Sequence, residues 1–278
     1  MKDFRGDEGM DKYLESNREL WDRLTKINAR AKSYDLDGFR KGESSLKSLE
    51  IQEVGEVRGK SLLHLQCHFG LDTLSWARLG AVVTGVDFSP EAICMARELS
   101  TELSIPARFI ESNLDDLPKV LDDRFDIVFT SYGVLCWLPD LKPWAGLISR
   151  YLKPGGLFYI AEFHPVNHVF ENERTTKELI VRYSYFHKDE PMKWEDDGAY
   201  ADPAQKAGMP AYEWTHNLSD ILNSLIRAGL VIEQFNEFPY CVYDHYPFLE
   251  RGPDGWYRLP DGKETIPLLF SLKARKPA

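Results

Sequence analysis

Two apolar runs end in residues able to hold a small polar ligand. Ser61-Leu62-Leu63-His64-Leu65-Gln66-Cys67 leads into His68-Phe69-Gly70, and Ala81-Val82-Val83-Thr84-Gly85-Val86 ends in Asp87, 17 residues after Gly70. An acidic side chain closing a buried strand can accept hydrogen bonds from both hydroxyls of a ribose, and glycine in the preceding turn lets backbone approach a ligand. Histidines form a second group. His64 and His68 sit at the first turn, whereas His164, His168, His187, His216 and His245 lie in or beside two later segments. His164 follows Glu162 at the end of a further apolar run, where a neutral imidazole could take a proton from a hydroxyl or amine. His168 is the second candidate for that role. The spacing His164-Pro165-Val166-Asn167-His168 also suits half of a two-histidine metal site. Pro165 opposes a regular helix there and no third ligand is evident, so no metal is expected.

The elements that must position these residues are legible in the apolar pattern. Residues 61–67 read as a first strand, followed by a helix stopped at Gly80, and 81–87 as a second strand. Ser89-Pro90-Glu91 then opens a helix: Ser89 is a good N-cap, Pro90 suits the first helical position, and Glu91 complements the macrodipole. Strands follow at 107–112 and 125–130; a helix at 141–152 is stopped by Lys153-Pro154-Gly155-Gly156, and 157–162 is a fifth strand. A helix over 217–230 and strands over 231–238 and 266–274 complete the pattern. Strands alternating with helices of this length imply a parallel sheet with right-handed crossovers.

Composition narrows the partners. With 34 Lys+Arg against 44 Asp+Glu, the 278-residue chain carries a net charge of −10. Such a surface opposes phosphate backbones, so no nucleic-acid partner is expected. No apolar run approaches the ~20 residues of a membrane-spanning helix, so no membrane partner is expected. The charged start, Met1 to Glu8, lacks the apolar stretch of a signal peptide. Cys67, Cys94, Cys136 and Cys241 form no C-x-x-C pair, which fits a reducing, cytoplasmic setting.

Five segments taken in order, His64 to Gly70, Asp87-Phe88-Ser89, Glu111-Ser112-Asn113-Leu114, Phe125-Asp126-Ile127-Val128 and Lys153-Pro154-Gly155-Gly156, resemble the signposts of the class I S-adenosylmethionine-dependent methyltransferases of small-molecule type. That family usually shows an acidic-x-Gly-x-Gly-x-Gly turn after its first strand, an acidic residue ending the second, a polar residue after the third, F-D-x-V in the fourth and K-P-G-G before the fifth. The resemblance implies S-adenosyl-L-methionine as cofactor, with His64, Gln66, Cys67 and Gly70 in the cofactor turn. It implies Asp87 on the ribose hydroxyls, Phe88 against the adenine with Ser89 beside it, and Asn113 and Leu114 at the adenine border. Ser131 and Tyr132 would lie under the sulfonium, Tyr132 also orienting the acceptor. One departure stands out: His64 replaces the acidic residue, and Gln66 and His68 replace two of the three glycines. The expectation is that the turn keeps its shape with both side chains pointing away. The alternative is a non-catalytic adenosyl-ligand-binding or interaction protein on the same scaffold. Absence of G-x-G-x-x-G disfavours a nicotinamide dinucleotide.

The implied fold is α/β, a Rossmann-like doubly wound seven-stranded sheet whose last strand runs antiparallel. Residues 57–162, 217–238 and 266–278 would form the cofactor-binding core, and 1–56 a helical N-terminal cap, all within one domain, 1–278. Insertions 163–216 and 239–265, after strands five and six, would rise from the edge that holds the cofactor. They contain 15 of the 35 Phe, Trp and Tyr residues in 81 of the 278 positions, so they are expected to wall an apolar pocket for a small-molecule acceptor. Trp21 and Tyr34 of the cap are candidates to cover the cofactor. The expected reaction is in-line methyl transfer to an O or N atom.

Overall fold

The computed structural model describes residues 8–195, 198–261 and 265–278. Residues 1–7 of the charged start, and residues 196–197 and 262–264 of the two insertions, lie outside the described residues. Three helices, α1 (Glu8–Asn28), α2 (Leu36–Arg40) and α3 (Ser48–Val54), precede β1 (Ser61–Leu65). Then come α4 (Leu71–Arg78), β2 (Val82–Asp87), α5 (Pro90–Glu102), β3 (Arg108–Glu111), α6 (Leu117–Val120) and β4 (Phe125–Ser131). After α7 (Leu141–Tyr151) and β5 (Leu152–Phe163), the first insertion carries the short strands β6 (Met192–Trp194) and β7 (Ala211–Glu213). The chain continues through α8 (Leu218–Arg227), β8 (Val231–Phe238), β9 (Tyr240–Cys241), β10 (Glu250–Arg251), β11 (Tyr257–Arg258) and β12 (Leu269–Arg275).

Seven strands form one mixed sheet in the order β3-β2-β1-β4-β5-β12-β8. β1 pairs parallel with both β2 and β4, whereas β12 runs antiparallel to β5 and β8. This is the expected α/β architecture, and the strand order reverses direction at β1, the kind of switch point at which such sheets bind ligands. Local signals set several boundaries. Ser89 Oγ accepts the Ala92 N–H at 3.1 Å to cap α5 above Pro90. Asn217 and Asp220 form a reciprocal capping box on α8. The helix before Lys153-Pro154-Gly155-Gly156 ends where expected, at Tyr151, but the motif lies inside the fifth strand, which begins at Leu152 rather than 157. The Gly155 N–H donates to Lys276 O at 2.9 Å and the Lys276 N–H to Gly156 O at 3.0 Å, so pairing with the C-terminal end extends the strand.

The chain divides into two compact units. The first comprises the chain up to Phe129, Arg150–Lys153 and Met192–Glu213. Its core joins Phe39, Cys67, Phe69, Leu74, Ile93 and Phe109. Asn17 on α1 grips β7 through both backbone groups of Tyr212, at 2.7 and 3.0 Å, so part of the first insertion packs on the N-terminal helix. Lys153 lies 2.8 Å from Asp126, which also accepts the Ser61 N–H and hydroxyl at 2.9 and 2.7 Å. The aspartate of F-D-x-V and the lysine of K-P-G-G thus clamp the start of β1. The second unit comprises Thr130–Ser149, Pro154–Pro191 and Trp214–Ala278. Trp144 of α7 meets Phe158 of β5 edge-on, with ring centroids 5.5 Å apart, and Ile160, Leu225, Phe270 and Leu272 are fully buried.

Gly70 shows why one motif glycine persists. Its φ is 80°, and a Cβ there would sit 2.8 Å from the Phe109 ring and 3.0 Å from the Ala96 Cβ. Left-handed strain and overlap therefore act together, and Gly70→Ala should destabilise the protein by about 3 kcal/mol or more. Gly146, exposed within α7, has open space around its Cβ position, so Gly146→Ala should stabilise by about 0.5–1 kcal/mol. Urea unfolding of the two variants checks both signs.

Candidate active site

The turn after β1 keeps the backbone of a glycine motif while carrying other side chains. Gln66 and His68 have φ of 56° and 49°, and Gly70 has 80°, so positions 66, 68 and 70 are all left-handed. For a residue with a Cβ this conformation costs roughly 1–2 kcal/mol. Hydrogen bonds hold the turn against that strain: the Cys67 N–H donates to Val86 O at 2.9 Å, and the His68 N–H to Asp87 Oδ2 at 2.8 Å. The His68 ring is turned into the N-terminal segment, 5.1 Å from Trp21, 5.7 Å from Tyr34 and 4.3 Å from Phe69 between centroids. Asn28 Nδ2 donates to His68 Nε2 at 3.1 Å and to the Tyr200 hydroxyl at 2.9 Å, and Tyr200 is hydrogen-bonded to Tyr34. Burial pushes the His68 pKa down to about 3. The ring is therefore neutral, with its proton on Nδ1, a buried atom without a hydrogen-bond partner among the described residues.

Asp87 closes β2 and is 8% exposed. Its Oδ2 accepts from His68 N–H and its Oδ1 from Ser89 N–H at 3.0 Å. Burial pushes its pKa up to about 6, against the pull of the Ser89, His68 and Phe88 amides. No lysine or arginine among the described residues is ion-paired with it. Ser89 is fully buried; its hydroxyl donates to Asp22 Oδ1 at 2.6 Å while capping α5. Phe88 is half-buried beside them. Two other turn residues face the scaffold. The His64 ring, 3% exposed, is bound to Thr73 Oγ1 at 2.8 Å through Nδ1 and packs edge-on against Phe129. The Cys67 thiol is buried and pushed well up in pKa by that burial, which removes it as a nucleophile. Asn113, exposed, exchanges hydrogen bonds with Asp116 and shapes the turn after β3; Leu114 next to it is half-buried.

In the second unit, Ser131 is buried and Tyr132, with φ of 39°, donates its N–H to Ala161 O at 2.9 Å. A cleft of about 300 Å³, its open mouth included, is lined by Gly133, Leu135, Cys136, Glu162, Phe163 and Pro165, together with His168, Trp214, His216 and Ile221. His168 therefore reaches this cleft and His164 does not. His164 Nδ1 accepts the Val166 N–H at 3.2 Å, capping a short 3-10 helix over Pro165–Val169, and its Nε2 faces Glu237 Oε1 at 2.8 Å. Burial lowers the His164 pKa and Glu237 opposes the fall. Burial pushes His168 down to about 4, so it is a neutral imidazole at physiological pH. No group of three or more metal-ligating side chains occurs among the described residues.

Two of the polar lining residues were read without a site role, His216 as one of the histidines beside the insertions and Glu162 as the end of a strand. His216 donates from Nε2 to Leu138 O at 2.7 Å and stacks on His187, with centroids 4.9 Å apart. Its position just before the Asn217 cap was the available signal. Glu162 accepts backbone N–H bonds only, from Gly133 and Phe163 on Oε1 and from Val134 and Leu135 on Oε2. Backbone partners leave no trace in residue types.

The left-handed turn makes a stability prediction. Gln66→Gly relieves the φ strain and Gln66→Ala does not, while both remove the same functional group. Gln66→Gly should therefore be the more stable of the two by about 1 kcal/mol, the reverse of the order at an ordinary helical or extended position. Paired chemical denaturation curves check the sign.

A family described as methyltransferase domains matches residues 63–160. The ubiquinone biosynthesis O-methyltransferase of Proteus mirabilis is 26% identical over 201 residues, covering 66% of this chain and 79% of that protein. The protein of the same name from Xanthomonas oryzae pv. oryzae is 30% identical over 152 residues, 54% of this chain, and the chain spans 63% of that relative's length. Among solved structures, an S-adenosylmethionine-dependent methyltransferase from Mesorhizobium loti superposes with a TM-score of 0.56 at 19% identity, covering 85% of this chain and all of that one. One from Methanosarcina mazei gives 0.54 at 20% identity, covering 84% and 98%. At these identities the superpositions speak for the fold, which is that of the sheet described above. The chain thus shares with S-adenosylmethionine-dependent methyltransferases this fold, the ordered motifs and, over residues 63–160, a methyltransferase-domain match.

Proposed function

We propose that the protein transfers a methyl group from S-adenosylmethionine to an oxygen or nitrogen atom of a small, largely apolar molecule. The observation that supports this most is the Asp87 carboxylate, buried without a cationic partner and held by the His68 amide at 2.8 Å. The His68, Ser89 and Phe88 amides leave acceptor capacity on a carboxylate with about four acceptor sites, which suits hydroxyl donors. The residues present therefore fit an adenosyl ligand.

The bound cofactor supplies a methyl carbon activated by the sulfonium charge. In this reading Asp87 holds the ribose hydroxyls, Phe88 lies against the adenine, and Asn113 and Leu114 border it. His64, Cys67, Gly70 and Ser89 keep the turn and the start of α5 in shape, with half-buried Gln66 in the same turn. Ser131 and Tyr132 lie under the reacting end. The chain must then align the acceptor at about 3–3.5 Å from the methyl carbon and exclude water. The cleft lined by Phe163, His168 and Trp214 is the proposed acceptor wall. His168 is preferred over His164 as proton acceptor, because His168 lines the cleft whereas His164 caps the 3-10 turn through Nδ1 and turns Nε2 toward Glu237. The relatives' O-methyltransferase names favour a hydroxyl acceptor. The acidic surplus favours a small molecule over nucleic acid, and no described helix is long and apolar enough to cross a membrane.

Calorimetry with S-adenosylhomocysteine tests the cofactor role of Asp87. Two hydroxyl donors require the ionised carboxylate, and the group titrates at about 6 in the free protein. Affinity should rise as pH goes from 5 to 7 and then level off, by about tenfold if one proton is lost per site. Because the folded pKa lies above the ordinary carboxyl value, this group's contribution to fold stability runs the other way. It is present below pH 4 and lost as pH rises through about 6. Asp87→Asn should bind at least about tenfold more weakly at pH 7.5 with a flattened profile; unchanged affinity removes Asp87 from the site.

A labelled-methyl screen over hydroxylated and amino aromatic compounds tests the acceptor class. With an acceptor found there, His168→Ala should lower turnover by roughly 10²-fold or more and His164→Ala by less, both retaining S-adenosylhomocysteine binding. The opposite order would restore His164 as the proton acceptor.

A further inference from the structure

Glu162 stands next to last in β5, is 4% exposed, and borders the cleft. By type and place it invites a role as catalytic base. Its hydrogen bonds say otherwise. Oε1 accepts from Gly133 N–H at 2.5 Å and Phe163 N–H at 2.7 Å, and Oε2 from Val134 N–H at 2.7 Å and Leu135 N–H at 3.2 Å. Four donors fill the roughly four acceptor sites of a carboxylate, so it cannot accept a substrate proton without surrendering one of them.

The donors converge because of the backbone just after β4. Tyr132 and Gly133 have φ of 39° and 72°, and a 3-10 turn over Leu135–Trp137 starts immediately beyond. Successive amides in such a bend face one point and form an anion-binding concavity. Here the anion is the protein's own. The same segment is fastened again from outside: the Trp137 indole N–H donates to Gly133 O at 2.7 Å, and Trp214 N–H to Cys136 O at 2.8 Å. Gly133, Leu135 and Cys136 line the cleft, and Ser131 and Tyr132 precede them.

We infer that Glu162 is a positioning residue for methyl transfer: its carboxylate fixes residues 131–136 and so sets the cofactor-facing Ser131 and Tyr132 and the cleft-lining Gly133, Leu135 and Cys136 as one piece. The inference rests on the proposed reading of Ser131 and Tyr132 as cofactor neighbours. In Glu162→Gln the isosteric amide keeps one acceptor oxygen but turns an NH2 group toward amide donors. The expected result is at least tenfold faster hydrogen exchange at the amides of 133–135 and about tenfold weaker S-adenosylhomocysteine binding. Leu225→Ala, a cavity on the buried face of α8 in the same unit, is the control: it should lower the unfolding midpoint while leaving both readouts near wild type. Wild-type exchange at 133–135 with wild-type affinity in Glu162→Gln overturns the inference, as does an equal response in Leu225→Ala. If Glu162→Gln does not fold, Glu162→Asp, which keeps the charge one methylene short, carries the same two readouts and the same criteria. If the wild-type protein itself does not bind S-adenosylhomocysteine, the cofactor reading fails separately, and the exchange measurement alone decides whether Glu162 orders the segment.

Discussion

The hydrogen bond from the His68 amide to the Asp87 carboxylate, 2.8 Å long, ties the turn after β1 to the end of β2, and much of the first unit follows from it. A carboxylate buried without a cation is costly, and here backbone dipoles do the compensating. For the amide of residue 68 to point at Asp87, the chain must fold back sharply after β1, and left-handed φ at 66, 68 and 70 is how it does so. The turn then fixes what each position tolerates. At 70 the Phe109 ring leaves no room for a Cβ; at 66 and 68 side chains fit at the cost of strain. The imidazole at 68 in turn needs surroundings, which Trp21, Asn28 and Tyr34 supply. The N-terminal helix is thereby coupled to the same bond.

Asp87 and Glu162 meet one problem in two ways. Both are carboxylates buried at strand ends, and both are raised in pKa by burial and lowered by backbone amides. They differ in how many acceptor sites remain. Asp87 receives fewer amide bonds, from His68, Ser89 and Phe88, and retains acceptor capacity; Glu162 receives four and retains none. Residue type and burial alone would give them the same role. Counting donors separates a group that binds something from a group that holds something.

What was legible in the sequence was local. The alternation of apolar runs, the Ser89-Pro90 start of α5 and the Asn217 start of α8 depend on a few adjacent residues, and each appears in the structure where it was read. What was not legible depends on distant or backbone partners. The extension of β5 through Lys153-Pro154-Gly155-Gly156 comes from Lys276, more than a hundred residues away. Sequence position favoured His164, at the end of the fifth strand, over His168 four residues on. The 3-10 turn begun by Pro165 makes His164 its cap, and Glu237 on β8 takes the other nitrogen, which leaves His168 to reach the cleft. Glu162 was invisible as a positioning group because amides carry no sequence signature.

The missing glycines look different once the dihedrals are known. A glycine motif is shorthand for a set of backbone conformations, and glycine is the residue that reaches them without strain. Gln66 and His68 reach them too, with φ of 56° and 49°, so the opening count of glycines measured strain rather than the presence of the turn. A strain of roughly 1–2 kcal/mol per residue is small enough for one ring packed among Trp21, Tyr34 and Phe69 to offset. Loss of a glycine from such a turn is therefore weak ground for inferring loss of the ligand. What would disable the proposed site is loss of the converging amide and carboxylate, and in this chain the His68 amide and the Asp87 carboxylate meet at 2.8 Å.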